Sequence, residues 1–353
     1  MKFLLNNTRI SQETTLEYRT KLGSYLSSLR EITKRGGYDA VEGSLNLPVD
    51  HELRDEVRGL AEEKASNVKH VFVVGIGGSN LGTQAVYEAL KDVRKVKEHV
   101  AMHFLETLDE RTLMHIRGVL EGVSAPEDVL VSVISKSGST TETVANADIL
   151  FELVSNRFGE EIALERFVVI TDRDSALWRV AEEKHIAKLE IPSTVGGRYS
   201  VLSSVGLFPL ACAGFDIEEL HRGALEMREE CLGQEGQAIH SAAFLAHFYN
   251  KGYVVHDIFL FDPTLESLGK WYRQLLAESI GKKENTKGEE VRIGITPTVS
   301  IGSRDLHSVA QLTLGGPQDK TATLVTKENV REVFTVPLNG FFSSSLEVVS
   351  GKT

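Results

Sequence analysis

Apolar positions recur along the chain with two different spacings, and the two spacings alternate. Residues 10–33 carry Leu22, Leu26 and Leu29 at helical spacing, and residues 51–66 repeat the pattern after Gly43-Ser-Leu-Asn-Leu-Pro48, which reads as a linker. A short apolar strand follows, His70-Val-Phe-Val-Val74, then Gly75-Ile-Gly-Gly-Ser-Asn-Leu-Gly82 and a helix to about Leu90. Strand 102–106, helix 110–120, strand 128–134, helix 141–157, strand 167–171, helix 175–185 and strand 186–191 continue the alternation. After Gly196-Gly-Arg-Tyr-Ser200 the pattern predicts helices over 203–213, 217–230 and 237–250, strand 254–261 and helix 265–280. It then predicts strand 291–296, a loop, a helix opening at His307, and strands near 321–326 and 332–336.

Strands that alternate with helices form parallel sheets covered on both faces. The expected fold is therefore α/β, with two doubly wound parallel-sheet subdomains in αβα sandwiches. The expected division is an N-terminal helical segment 1–50, a first subdomain 51–195 and a second 196–353. Ligands in such sheets bind beyond the carboxyl ends of the strands. The Gly75–Gly82 and Ser135–Thr141 loops both fall there, so they can face one site.

Asp128 to Asn146 is the most informative stretch. A β-branched apolar run changes abruptly into Ser135, Lys136, Ser137, Gly138, Ser139, Thr140 and Thr141, and Val144, Ala147, Leu150, Phe151 and Val154 then take up helical spacing. Hydroxyls and a lysine ahead of a helix N-terminus make a seat for an anion, because the free N–H groups and the positive end of the dipole face the loop. An ordinary Ser/Thr turn capping the helix is the alternative. No Walker A pattern is present, and Asn80 stands where a dinucleotide fingerprint needs glycine.

Three further stretches carry candidate chemistry. Arg198 lies between two glycines and an aromatic residue, where the backbone can bend to turn a guanidinium inward onto an oxyanion; a solvated loop arginine is the alternative. Gln274 and Glu278 are four apart on a helix that stops at Gly281, with Trp271, Leu275 and Leu276 on the packed side. The helix C-terminus raises the pKa of such a carboxylate toward that of a useful base, whereas Lys282 and Lys283 oppose the shift. His307, read as opening a helix, would be kept neutral there and able to exchange protons. His240 and His247 share a face but form no metal-binding pattern.

Composition narrows the class. The 353 residues suffice for two α/β units, and 41% hydrophobic with 25% charged residues is a globular balance. A formal net charge of -11 argues against sequence-independent nucleic-acid binding, which needs a basic face. Two cysteines make neither a disulfide framework nor a zinc pattern. The first residues are too short and polar for a signal peptide, and no apolar run reaches membrane-spanning length, so a cytoplasmic protein is expected.

Together, five stretches in order resemble the glucose-6-phosphate isomerase family, over about residues 45–320. They are Gly75-Ile-Gly-Gly-Ser-Asn-Leu-Gly82, the Ser135–Thr143 loop, Gly196-Gly-Arg-Tyr-Ser200, Gln274–Lys282 with its Glu-Ser-x-Gly-Lys, and Asp305-Leu-His-Ser-Val-Ala-Gln311. The loop alone indicates only a sugar-isomerase (SIS) domain; the arginine and glutamate stretches are far more specific. The resemblance implies reversible interconversion of glucose 6-phosphate and fructose 6-phosphate without metal or cofactor. It implies that Ser135, Lys136, Ser137 and Thr140 hold the phosphate, and that Gly78 and Ser79 contact the sugar. Glu278 is then the base moving a proton between C2 and C1 through a cis-enediol(ate), Arg198 stabilises that intermediate, and Gln274 positions the substrate. His307 resembles the histidine that assists ring opening from the partner subunit of a homodimer.

Family members continue into a C-terminal segment with an aromatic-Asp-Gln-x-Gly-Val-Glu motif and a lysine used in ring opening. This sequence ends at Thr353 without them, and Lys352 lies in no matching context. A naturally short chain, a missing part and a changed function all remain open on the sequence. A non-catalytic SIS-type sugar-phosphate sensor, and an isomerase that also takes mannose 6-phosphate, are the alternative functions. Retention of Glu278, Arg198 and His307 speaks against the sensor, because binding a phosphate needs none of them.

Overall fold

The computed structural model describes residues 4, 9–92, 100–233 and 236–327. The chain opens with α1 (Gln12–Arg35), α2 (His51–Lys64), β1 (His70–Val74), α3 (Leu81–Leu90), β2 (Ala101–Leu105), α4 (Glu110–Gly122) and β3 (Val129–Ile134). It continues through α5 (Thr141–Phe158), α6 (Glu160–Arg166), β4 (Phe167–Thr171), α7 (Ala176–Glu183) and β5 (Ala187–Glu190). Next come α8 (Ser204–Cys212), α9 (Ile217–Leu232), α10 (Gln237–Tyr249), β6 (Val255–Leu260), α11 (Glu266–Ile280), β7 (Lys282–Glu284) and β8 (Glu290–Ile293). The described part ends with β9 (Thr296–Ile301), α12 (Gly302–Ser308), α13 (Ala310–Gly315) and β10 (Lys320–Val325).

β1 to β5 form a parallel sheet in the order β2-β1-β3-β4-β5. Alternate side chains serve opposite faces, as the two-residue period requires. Val71, Val73, Leu130, Ile134, Val168 and Ile170 enter a core closed by α2, α3 and α8, whereas Phe72, Val74, Val131, Val133, Phe167 and Val169 enter a second core under α4 to α7. This is the doubly wound arrangement expected. The strand order reverses between β1 and β3, so their carboxyl ends lie side by side at the switch point where α/β sheets bind ligands. One core runs across the division expected at 195/196, because Val205, Leu207, Phe208 and Leu210 of α8 are buried against the first sheet.

The second sheet is parallel too, in the order β10-β6-β9, with Ile258, Leu260 and Ile301 at its centre and Tyr272 of α11 packed on them. α11 also runs along α3, where Ser267 donates a hydrogen bond to Glu88. One helix therefore touches both sheets' layers, and it is the helix that carries Gln274 and Glu278.

Several expectations change. Gly43–Val49 is not a linker but a buried 3-10 turn, with Leu47 and Asn46 inside and Arg228 donating to the carbonyl of Leu45. The strand expected over 291–296 is two elements: β8 pairs antiparallel with β7 in an exposed hairpin, and β9 starts at Thr296 in the sheet. Charged, wholly exposed Glu290–Ile293 cannot sit in a covered parallel sheet. α6 was not foreseen. The strand expected at 332–336 lies outside the described residues.

Candidate active site

β3 is buried at all six positions and delivers Ser135 to its carboxyl end. The turn is locked from below: Thr171 at the end of β4 donates its hydroxyl to the Ser135 carbonyl at 2.5 Å and pairs with Ser175 at 2.8 Å. Gly138 takes φ +64°, and a Cβ there would come within 2.7 Å of the Ser175 side chain, so only glycine lets the loop close onto the next turn. Thr140 is the N-cap residue of α5 but makes no capping bond. Its hydroxyl pairs with Ser135 at 3.0 Å and Ser137 at 3.4 Å. The first N–H groups of an 18-residue helix thus keep no side-chain cap, and three hydroxyls gather beside them with half-buried Lys136 in the same loop. Free N–H groups beside clustered hydroxyls and a lysine are an arrangement that can take an anion.

The neighbouring Gly75–Gly82 loop follows β1. A Cβ on Gly78 would fall 2.2 Å from the carbonyl carbon of Gly197 and 2.6 Å from the amide nitrogen of Arg198, so the first loop and the arginine loop meet backbone to backbone. Ser200 ties the second loop down, donating to the Gly197 carbonyl at 2.7 Å. Ser79 is half-buried within the first loop.

Arg198 is not a solvated loop arginine. Its side chain is 23% exposed, lies 4.5 Å over the Tyr199 ring, and donates from Nε to Ser279 Oγ at 2.9 Å and from a terminal nitrogen to Glu278 Oε2 at 3.3 Å. Gln274 Nε2 donates to the other Glu278 oxygen at 2.9 Å, as the four-residue spacing predicts. Trp271 Nε1 donates to the Arg198 carbonyl at 2.9 Å, and the Tyr199 hydroxyl meets Ser279 at 2.6 Å. Trp271, Tyr199 and Ser279 hold this cluster, yet the sequence did not single out Ser279 or Tyr199. Their signal was their adjacency to Glu278 and Arg198. Lys282 donates to the Glu278 carbonyl at 3.2 Å, so it completes the helix end and not the carboxylate's hydrogen bonding. The Gly77–Ser79 turn adjoins α11 directly, since a Cβ on Gly77 would lie 3.2 Å from Gln274 Nε2.

The structure thus joins Gly78, Arg198, Gln274 and Glu278 in one cluster, next to the loop that unites Ser135, Ser137 and Thr140. It does not bring His307 to them: among the described residues no hydrogen bond or ion pair links His307 to the cluster. The imidazole is exposed in the last turn of α12, not at a helix start, so the expected N-terminal dipole does not act on it. Among the described residues no three or more His, Cys, Asp or Glu could hold a metal ion.

Two parallel sheets, an uncapped helix start with hydroxyls and a lysine at a switch point, and an arginine facing a carboxylate define an α/β protein whose site suits an anionic ligand. Comparison narrows this class. Residues 51–322 match the family model of phosphoglucose isomerase, and the chain belongs to that family. It is 32% identical over 360 residues to a glucose-6-phosphate isomerase of Carboxydothermus hydrogenoformans, covering 99% of this chain and 76% of the relative. It is also 32% identical to one of Thermus thermophilus, covering 87% and 71%. Among solved structures, a hypothetical protein of Thermus thermophilus superimposes with TM-score 0.81 at 31% identity, covering 97% of this chain and 79% of that one. A glucose-6-phosphate isomerase of Chlamydia trachomatis shares the fold with TM-score 0.77 at 20% identity, covering 90% and 66%.

Proposed function

We propose that the chain interconverts glucose 6-phosphate and fructose 6-phosphate, a reaction of glycolysis and gluconeogenesis, as a homodimer in the cytoplasm. The observation that carries the reading is the Arg198–Glu278–Gln274 cluster beside a separate anion seat. A C–H next to a carbonyl is a poor acid, so its removal needs a positioned carboxylate and a cation for the oxygen that gains charge. Glu278 abstracts the proton from C2 and returns it to C1, and Arg198 stabilises the enediolate oxygen. Gln274 orients the carboxylate and has an amide oxygen left without a donor inside the cluster, free for a substrate hydroxyl. Ser135, Lys136, Ser137 and Thr140 bind the phosphate, several bonds from the reacting carbons, so that binding energy serves orientation. Gly78 and Ser79 meet the sugar. His307 opens the ring from the partner subunit. That assignment is supported by the family and by exposed apolar side chains around it: Leu306, Val309, Leu312 and Leu314 are 38–86% exposed. Among the described residues no helix is long and apolar enough to cross a membrane.

The test is a coupled assay of fructose 6-phosphate conversion. The parent chain turns over, and Glu278→Gln falls by roughly a thousandfold while phosphosugar still raises its melting temperature. Binding without turnover in the parent chain would favour a sugar-phosphate sensor instead.

A further inference from the structure

Glu278 and Ser279 are consecutive residues at the end of α11, and the Arg198 guanidinium bonds to both. Trp271 Nε1, on the same helix, donates to the Arg198 carbonyl at 2.9 Å, while Ser279 Oγ accepts from Arg198 Nε at 2.9 Å. One helix thus holds the arginine at its backbone and at the inner end of its guanidinium. The Tyr199 ring lies 4.5 Å from the guanidinium carbon, and the Tyr199 hydroxyl is 2.6 Å from the same Ser279 oxygen. A planar cation resting on a ring can still turn in its own plane. The bond from Nε to Ser279 removes that freedom, and the contact with Tyr199 fixes the oxygen that accepts it.

A guanidinium has five N–H donors and no acceptor. Ser279 takes the one on Nε, and Glu278 Oε2 takes one on Nη1 at 3.3 Å. Among the described residues Nη2 makes no hydrogen bond. With Nε occupied, only the terminal nitrogens remain for a ligand, and they lie beside the carboxylate. Because the group that orients the cation follows the base by one residue, the spacing between base and cation is set within one turn of α11. It does not depend on how the two sheets sit against each other.

We propose that Ser279 is a positioning residue: by holding Nε it turns the Arg198 guanidinium so that its terminal nitrogen Nη2 meets the enediolate oxygen beside Glu278. It acts through the arginine and touches no reacting atom. The kinetic part of the idea rests on the isomerase reading above; the clamp on the guanidinium does not.

Nitrogen-edited NMR spectra of the whole chain read the clamp directly. The parent shows a slowly exchanging Nε–H signal, assigned by its absence from Arg198→Lys. The signal is lost to solvent exchange in Ser279→Ala and returns in Ser279→Thr, whose hydroxyl can still accept. In kinetics, Ser279→Ala lowers kcat on the order of tenfold, the cost of one hydrogen bond to a charged group, with KM near the parent value. Ser279→Thr recovers most of that loss, and both variants keep the parent's cooperative melting. The idea is overturned if the signal persists unchanged in Ser279→Ala, if kcat is unchanged there, or if Ser279→Thr is as damaged as Ser279→Ala. Should Ser279→Ala fail to fold, Ser279→Cys, whose sulfur accepts only weakly, is read in the same two ways. A chain with this pattern of signals but without isomerase activity would support the clamp and sink the functional reading alone.

Discussion

At the scale of single residues, the site depends on a contact between two backbones. The glycine-rich turn after β1 reads from the sequence as a place where a ligand approaches the main chain. In the structure the closest approach at Gly78 is to Gly197, from a loop more than a hundred positions away. No periodicity or spacing could pair the two. The contact is asymmetric: a Cβ on Gly78 meets the Gly197 carbonyl at 2.5 Å, whereas a Cβ on Gly197 meets only the Gly78 Cα at 3.6 Å, an ordinary distance. Gly78→Ala must therefore push the arginine loop outward. It should lower stability by about 1–3 kcal/mol and, by displacing Arg198, lower kcat/KM on the order of a hundredfold. Gly197→Ala should cost clearly less in both, as read by urea unfolding and steady-state kinetics. Equal damage from the two substitutions would mean that the close contact does not position the arginine.

At the scale of elements, strands and helices were legible where one period ran unbroken, as in β3 and α5. The chemistry at their ends was less so. Thr140 occupies the N-cap position yet turns its hydroxyl into the loop, and that choice is made by Ser135 and Ser137 rather than by helix propensity. β6 holds a second such case. His256 reads as an anonymous strand residue, but it is 1% exposed, with Nδ1 at 2.8 Å from the Thr321 hydroxyl and Nε2 at 3.2 Å from that of Thr323, both on β10. Each hydroxyl can donate or accept, so a neutral ring satisfies both contacts, and burial pushes the imidazole down to about 4 despite neighbouring Asp257. The unfolded chain then binds a proton near 6.5 that the folded chain refuses until about 4. The stabilisation is whole above 6.5 and is lost as the pH falls toward 4, at a slope of up to about 1.4 kcal/mol per pH unit. In His256→Gln, which can still bond both threonines, urea unfolding between these limits should show a shallower loss than the parent. Identical slopes would show that His256 is charged in the fold.

For the molecule as a whole, two parallel sheets were legible from the alternation of strands and helices, but which sheet α8 packs against was not. α8 reads as part of the second unit and is buried in the first, because an all-apolar helix carries no mark of which sheet it serves. The same limit applies to α12 and α13, where the sequence predicts a helix opening at His307 without marking which of its faces is covered. The structure leaves Leu306, Leu312 and Leu314 48%, 56% and 86% exposed beside an exposed His307. Apolar surface gathered on one segment is the mark of an interface, and a histidine within it would be carried to another subunit's site. In a two-fold dimer each subunit gives and receives the same group. The chain should then sediment at twice its own mass. Leu312→Asp together with Leu314→Asp should yield a monomer with unchanged melting cooperativity. Because that monomer has lost the partner's imidazole but none of its own cluster, its turnover should fall on the order of a hundredfold while phosphosugar binding survives. A fully active monomer would place ring opening on a group within the same chain and remove His307 from the mechanism.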